Sequence, residues 1–322
     1  MSRSVTSSGF DIEYNAIVDG IAEGKVVPFL GAGFNLSDRP PSVQWEPGCA
    51  FLPSGSELAA HLAQKYKYPL MDRDLARICQ FIVEVKGLAP LYSHLRSIFD
   101  VKCELTSAHR FIAGTSARLR SKNYPEPNLL IVTTNYDDLV ESAFAECAEP
   151  LDVVSYVADA RSQKGKFVHH LPDGSRQVIN RPNEYCEVSL KKNCVLLKIH
   201  GALDRLHPVN DSFVITEDHY IDFLTRTDLS NLVPVTLAAH LRASHFLFMG
   251  YSLRDWNLRV VLQRIWEEQR LGYNSWAIQH LSDALDRRFW SRRNVEIVET
   301  PLSDCIAALD QRLSNLQPYE EL

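Results

Sequence analysis

"VVPFLGAGFNL", residues 26–36, carries five apolar residues straight into Gly31-Ala32-Gly33 without a polar break. An apolar run of strand length that stops at glycines reads as a buried strand of a parallel sheet turning toward a helix. Two readings of the turn stay open. It can bring backbone N–H groups up to a phosphate, or it can merely let the strand reach the helix, because the third glycine of the dinucleotide fingerprint is missing.

The same kind of run recurs at "NLLIVTTN" (128–135), "CVLLKIHG" (194–201), "HFLFMGYS" (245–252), "NSWAIQH" (274–280) and "NVEIVET" (294–300). Stretches of helical periodicity separate most of them, so the spacing predicts an α/β fold: a Rossmann-like, doubly wound, mainly parallel six-stranded sheet. One helix is expected from Leu258, where Val261, Leu262, Ile265 and Trp266 recur at helical spacing and Ser252-Leu253-Arg254-Asp255 supplies the cap. Residues 41–127 hold no strand signal but three helical stretches, "SGSELAAHLAQKY", "DRDLARICQFIVEV" and "APLYSHLRSIFD", and read as a helical insertion. A second, small insertion is expected at 157–190, where Pro172-Asp173-Gly174 is turn chemistry between two strand-like pieces. The whole of 1–322 reads as one domain, and the closing "SNLQPYEEL" as a frayed tail.

Composition narrows the function. Hydrophobic residues at 45% and charged residues at 23% fit a globular protein, and a formal net charge of −6 with scattered Lys and Arg argues against holding nucleic acid by phosphate neutralisation. No run reaches membrane-spanning length and the N-terminal stretch has no apolar signal core, so no membrane partner and a cytoplasmic location are expected. Seven cysteines, odd in number and never spaced as CxxC, indicate neither a disulfide framework nor a zinc ribbon; most are expected to be buried packing.

Ligands of open doubly wound sheets sit beyond the carboxyl ends of the strands. Four successive runs end there in Gly31-Ala32-Gly33, Thr133-Thr134-Asn135-Tyr136-Asp137-Asp138, Lys198-Ile199-His200-Gly201 and Gly250-Tyr251-Ser252. Each has a plain structural explanation. The Asn and Asp are ordinary helix caps, His200 is a core histidine, and Gly250 and Ser252 form a tight turn and a cap. Together on one sheet edge they are a candidate site.

In that order on that strand pattern, "GAGFN", "TTNYD", "KIHG" and "GYS" resemble the four signature segments of the sirtuin-like NAD-binding fold, and most closely its bacterial antiphage branch, which destroys NAD. The resemblance spans the sheet from about Gly24 to Leu309 apart from the insertions. It implies that Gly31, Ala32 and Gly33 let the backbone approach the NAD pyrophosphate at the start of the next helix, with Asn35 and Thr133 beside them. Asn135 would fix a water or a ribose hydroxyl, Asp137 would orient the nicotinamide end, and His200 would be the base. Gly250 and Ser252 would line the adenosine ribose, and Glu299 to Pro301 would lie near the adenine.

The sequence departs from the family at three points. Asn35 stands where sirtuins commonly carry a small hydroxyl residue; no cysteine follows His200-Gly201, so no zinc is expected; and the segment that pairs with an acyl-lysine backbone is not recognisable. An NAD glycohydrolase is therefore expected ahead of a deacylase, an ADP-ribosyl transferase or a binding module that senses NAD without turnover. A histidine titrating near neutrality suits that chemistry, with Asp137 either raising its basicity or helping to orient the nicotinamide. Free NAD hydrolysis is toxic, so the resemblance also implies an abortive-infection effector restrained until assembly, either as a homo-oligomer or with a partner such as a HerA-type ATPase. The helical insertion and the helical face from Arg254 to Arg270 are candidate contact surfaces.

Overall fold

The computed structural model describes residues 7–320 apart from 160–162, 227–232, 253–258, 261 and 263–273. All six expected runs are strands: β1 (Val26–Leu30), β2 (Leu130–Thr133), β6 (Cys194–Lys198), β9 (His245–Met249), β10 (Ser275–Gln279) and β11 (Val295–Glu299). They belong to a larger, nine-stranded sheet ordered β11-β10-β9-β1-β2-β6-β3-β4-β5, in which β3 (Leu151–Tyr156) adds a seventh parallel strand. The hairpin expected around Pro172-Asp173-Gly174 is β4 (Phe167–His170) and β5 (Arg176–Ile179), and it extends the sheet antiparallel from β3. Two short strands, β7 (Gly201–Ala202) and β8 (Ser212–Phe213), form a separate ladder.

Every residue of β1, β2 and β6 is buried, as continuous apolar strands covered on both faces require. Alternate side chains feed two cores. Val27, Phe29, Leu130, Val132, Leu197 and Phe248 face one side, with α7 (Glu217–Arg226), α8 (Val235–Arg242) and α9 (Ala284–Ser291) above them. Val26, Leu30, Ile131, Leu196 and Met249 face the other, beneath α1 (Ser7–Ala22), α5 (Ser107–Ser121), α6 (Leu139–Glu146) and α10 (Leu302–Asn315).

The three helices expected between 41 and 127 are α2 (Gly55–Tyr66), α3 (Leu75–Lys86) and α4 (Leu88–Phe99). They share a third core, built on Leu58, Leu62, Ile78, Ile82, Leu91 and Leu95, that also takes in Tyr136 after β2, Leu139 of α6 and Phe213 of β8. The fourth helix of that span, α5, packs on the sheet instead.

Two expectations are corrected here. The C-terminal segment is docked, not frayed, as far as it is described: Tyr319 N–H donates to the Lys122 carbonyl at 2.7 Å, and the Tyr124 hydroxyl donates to the Gln317 carbonyl at 3.1 Å. Only Cys79, Cys194 and Cys305 are buried, while Cys147 and Cys186 are exposed, because the latter two fall at a helix end and in a surface loop. The helix expected from Leu258, its cap at 253–255 and the face from Arg254 to Arg270 lie, but for single residues, outside the described residues.

Candidate active site

Register brings the four turns level. Leu30 pairs with Thr133 on one side and Met249 on the other, and Thr133 pairs with Lys198, so the ends of β9, β1, β2 and β6 form one row. The chain leaves β1 for β2 on one side and β9 for β10 on the other. Strand order therefore reverses between β1 and β9, where a crevice opens in sheets of this kind. A cavity of about 740 Å³ occupies that place.

Gly31, Ala32, Gly33, Asn35, Asn135, Asp137, His200, Gly250 and Ser252 all line it. Thr133 stands behind it, buried, with its hydroxyl donating to the Leu30 carbonyl at 3.0 Å and accepting from Asn135 N–H at 3.0 Å. Glu299 to Pro301 do not line it. Glu299 instead accepts from Ser282 N–H at 2.9 Å and pairs with Arg287 at 2.9 Å. The opposite wall comes from the insertion: Leu52, Pro53, the caps of α2 and α3 at Ser54 and Asp74, Arg73 and Phe99.

The glycine turn is built differently from the expected phosphate loop. A five-residue 3₁₀ helix, Ala32–Leu36, follows β1 in place of an α-helix. Gly31 N–H donates to the Met249 carbonyl at 3.0 Å, Gly33 N–H to the Gly250 carbonyl at 2.8 Å, and Phe34 N–H to the Gly31 carbonyl at 2.9 Å. The glycines are small because the turn after β9 presses on them. A Cβ on Gly33 would stand 2.8 Å from the Gly250 oxygen; one on Gly250, whose φ is +64°, would stand 1.9 Å from Phe34 N. Gly31 and Gly33 thus serve first to let two sheet turns interlock.

Asn35 is the middle of a buried relay. Thr106 N–H donates to His109 Nδ1 at 3.1 Å, which leaves the ring proton on Nε2 to be donated to Asn35 Oδ1 at 3.1 Å. Asn35 Nδ2 then donates to Asp137 Oδ2 at 2.8 Å, and Asp137 Oδ1 accepts from Leu139 N–H at 3.1 Å. Burial holds His109 neutral, its pKa pushed down to about 4. Asp138 occupies the N-cap position of α6, but the side chain that bonds the helix start is that of Asp137. Asp138 is held by Arg205, which also pairs with Asp100, just past the end of α4, at 2.7 Å, while Arg96 of α4 pairs with Asp211 at 2.9 Å. Beneath the turn, buried Lys198 donates to the Asp137 carbonyl and pairs with Glu141 at 2.7 Å.

Asn135 spans the strand ends, its Nδ2 donating to the Gly31 carbonyl at 3.1 Å. His200 is 4% exposed and sits edge-on between Tyr220 and Phe223, with ring centroids 5.3 and 5.5 Å away. Among the described residues its ring nitrogens meet no hydrogen-bond partner, and burial alone pushes its pKa down to about 3. That corrects the expectation of a histidine titrating near neutrality under the influence of Asp137, whose two oxygens are committed to Asn35 and Leu139. The ring is instead kept neutral by an apolar box.

His109, Tyr220 and the insertion wall were not anticipated. A histidine three residues after a threonine at a helix start looks like an ordinary cap, and Leu52, Ser54 and Arg73 carry no motif. Among the described residues no group of three or more His, Cys, Asp or Glu is placed to hold a metal, and no helix is long and apolar enough to cross a membrane.

The sequence is similar to those of known proteins. Defense-associated sirtuin 2 of Bacillus subtilis is 25% identical over 258 residues, 79% of this chain and 20% of its own. The NAD(+) hydrolase ThsA of Acinetobacter baumannii (strain 532279) is 27% identical over 263 residues, 79% of this chain and 42% of its own. A second NAD(+) hydrolase ThsA, from Cytobacillus dafuensis, is 23% identical over 194 residues, 60% and 31% of the two chains. The chain thus spans less than half the length of each of these relatives. A family model described as a SIR2-like domain matches residues 129–298, from the start of β2 to the end of β11. That span takes in the Asn135, His200 and Gly250 turns, and since it covers more than half of the sequence, the chain belongs to the SIR2-like family.

Proposed function

We propose that the protein is an NAD+ glycohydrolase that cleaves NAD to nicotinamide and ADP-ribose, with Asn135, Asp137 and His200 as its catalytic group and Gly31, Ala32, Gly33, Asn35, Thr133, Gly250 and Ser252 around the dinucleotide. The observation that carries the reading is His200: a neutral, buried imidazole with no hydrogen-bond partner among the described residues, lining a dinucleotide-sized cavity beside Asn135. A histidine needed only for packing would have its nitrogens satisfied.

The chemistry asks little of the base. The nicotinamide leaving group departs neutral from a cationic ring, through an oxocarbenium-like state. As a water oxygen bonds to that electron-poor carbon its protons become strongly acidic, so even an imidazole with a depressed pKa can take one. Asn135 is suited to hold the water or a ribose hydroxyl, since its amide is anchored to the Gly31 carbonyl. Asp137 acts through position: locked by Asn35 and Leu139, it holds the start of α6 and the turn carrying Asn135 in one arrangement.

The reading treats the described chain as one sirtuin-like unit with insertions at 41–127 and 157–190. The names of the three relatives, two of them NAD(+) hydrolases and one defence-associated, support an antiphage role. A cytoplasmic effector that consumes NAD needs restraint, for which assembly into a homo-oligomer or with a HerA-type ATPase is the proposed control. The test is nicotinamide release from NAD by the purified protein, alone and with the product of its neighbouring gene. His200→Ala is expected to lower kcat by about 10²–10⁴, the usual worth of a general base, with a much smaller change in KM. Release unchanged from wild type in both His200→Ala and Asn135→Ala would overturn the assignment. Tight NAD binding with no release under either condition would establish a sensor in place of an enzyme.

A further inference from the structure

Resting on the NAD reading, we infer that Arg73, in the loop before α3 of the helical insertion, is the residue that holds the dinucleotide's diphosphate. A dinucleotide brings two phosphate charges into the cavity, and something must answer them. The turn expected to do so is largely committed. The N–H groups of Gly31, Gly33 and Phe34 all donate to protein carbonyls. The two carboxylates on the cavity wall add no positive charge: Asp137 is locked to Asn35 and Leu139, and Asp74 caps α3 by accepting from Arg77 N–H at 3.0 Å. Among the described residues Arg73 is the only lysine or arginine lining the cavity. It is exposed, and among the described residues it has no ion-pair or hydrogen-bond partner, although Asp72 and Asp74 flank it in sequence; Asp72 is taken by Arg77 and the Tyr68 hydroxyl.

A planar guanidinium is the side chain best fitted to bridge two phosphate oxygens. Its place on the insertion also divides the labour within the cavity. The sheet edge supplies His200 and Asn135 for the nicotinamide ribose, and the insertion supplies the charge that draws in the diphosphate. Held this way, a ligand would tie the three-helix core to the sheet edge, whose Tyr136, Leu139 and Phe213 already pack into it.

The experiment is calorimetric binding of ADP-ribose, ADP and adenosine to the full chain and to Arg73→Ala and Arg73→Lys, with steady-state NAD cleavage alongside. Arg73→Ala is expected to weaken ADP-ribose and ADP by about tenfold to a hundredfold, the loss of a charge-assisted contact, and to leave adenosine unchanged. Arg73→Lys should recover part of the loss, the KM for NAD should rise far more than kcat falls, and the melting temperature should not move because the side chain is exposed. If the wild-type chain binds and cleaves NAD while Arg73→Ala binds ADP-ribose equally well, this inference fails and the NAD reading stands. If the wild-type chain binds neither ADP-ribose nor NAD, both fail.

Discussion

Replacing Gly250 by alanine tests the interlocked turns most directly. Gly250 has φ +64°, a left-handed conformation that costs an alanine about 1–2 kcal/mol. The new methyl would stand 1.9 Å from Phe34 N and 2.4 Å from Gly33 C. Both are backbone atoms that no rotamer change can clear, and comfortable contact lies near 3.5 Å, so the turns after β1 and β9 must separate by roughly 1.5 Å. Separation strains the surrounding core by about 1–3 kcal/mol and breaks the hydrogen bond from Gly33 to Gly250, worth about 1 kcal/mol. Gly250→Ala should therefore destabilise by about 3–6 kcal/mol. Gly174 provides the control: its φ is +84° with nothing within 4 Å of an added Cβ, so Gly174→Ala should cost only the conformational part. Urea unfolding of both variants at one pH measures the difference, and equal destabilisation would refute the claim that packing between the turns is what demands glycine.

Two further outcomes follow from the buried groups. Replacing Asn35 by leucine strips His109 Nε2 and Asp137 Oδ2 of their partner inside the fold, and should cost about 2–5 kcal/mol in urea unfolding as well as most of the NAD cleavage; a loss under 1 kcal/mol would mean the relay is ornamental. Acid should weaken the fold before its carboxylates titrate. The unfolded chain protonates its histidines below about pH 6.5, whereas folded His109 and His200 stay neutral down to about 4 and 3, so the unfolded state binds more protons and stability falls as pH drops through that window. At pH 5.5 each histidine removes about 1.4 kcal/mol relative to pH 8, about 3 kcal/mol for the pair, and unchanged urea midpoints at the two pH values would contradict their burial in neutral form.

What could be read from the sequence follows from how parallel sheets are made. Central strands buried on both faces must be continuously apolar, and they must end at residues able to turn, so six strands and all four turns of the cavity floor were legible in order. Strand β3 was not, because its run is broken by Asp152 and Ser155. Asp152 is tolerated inside because His169 of the hairpin and Asn193 satisfy it, at 2.8 and 3.0 Å. No local pattern announces a partner seventeen residues away. The site divides the same way. Asn135, Asp137 and His200 stand at strand ends and could be named, whereas Arg73 reaches the cavity, and His109 reaches Asn35 behind it, only through the packing of helices whose sequences look like ordinary amphipathic stretches. The glycines of "GAGFN" were legible as a required turn, but the reason for them, the pressure of Gly250, lies more than two hundred residues away.

That pressure makes the floor of the cavity unyielding. Where the turns after β1 and β9 meet there is not room for one methyl group, and the ends of β2 and β6 are fixed to them by ladder hydrogen bonds. The roof rests on a core of its own and is joined to the floor through a few loop residues and the ion pairs of Arg96 and Arg205. Any difference in bulk between one guest and another must then be absorbed by the roof. Compliance in this molecule is one-sided, and mutations that retune which molecules fit should collect in residues 52–56, 58, 74–76 and 99, on the side of the cavity away from His200 and Asn135.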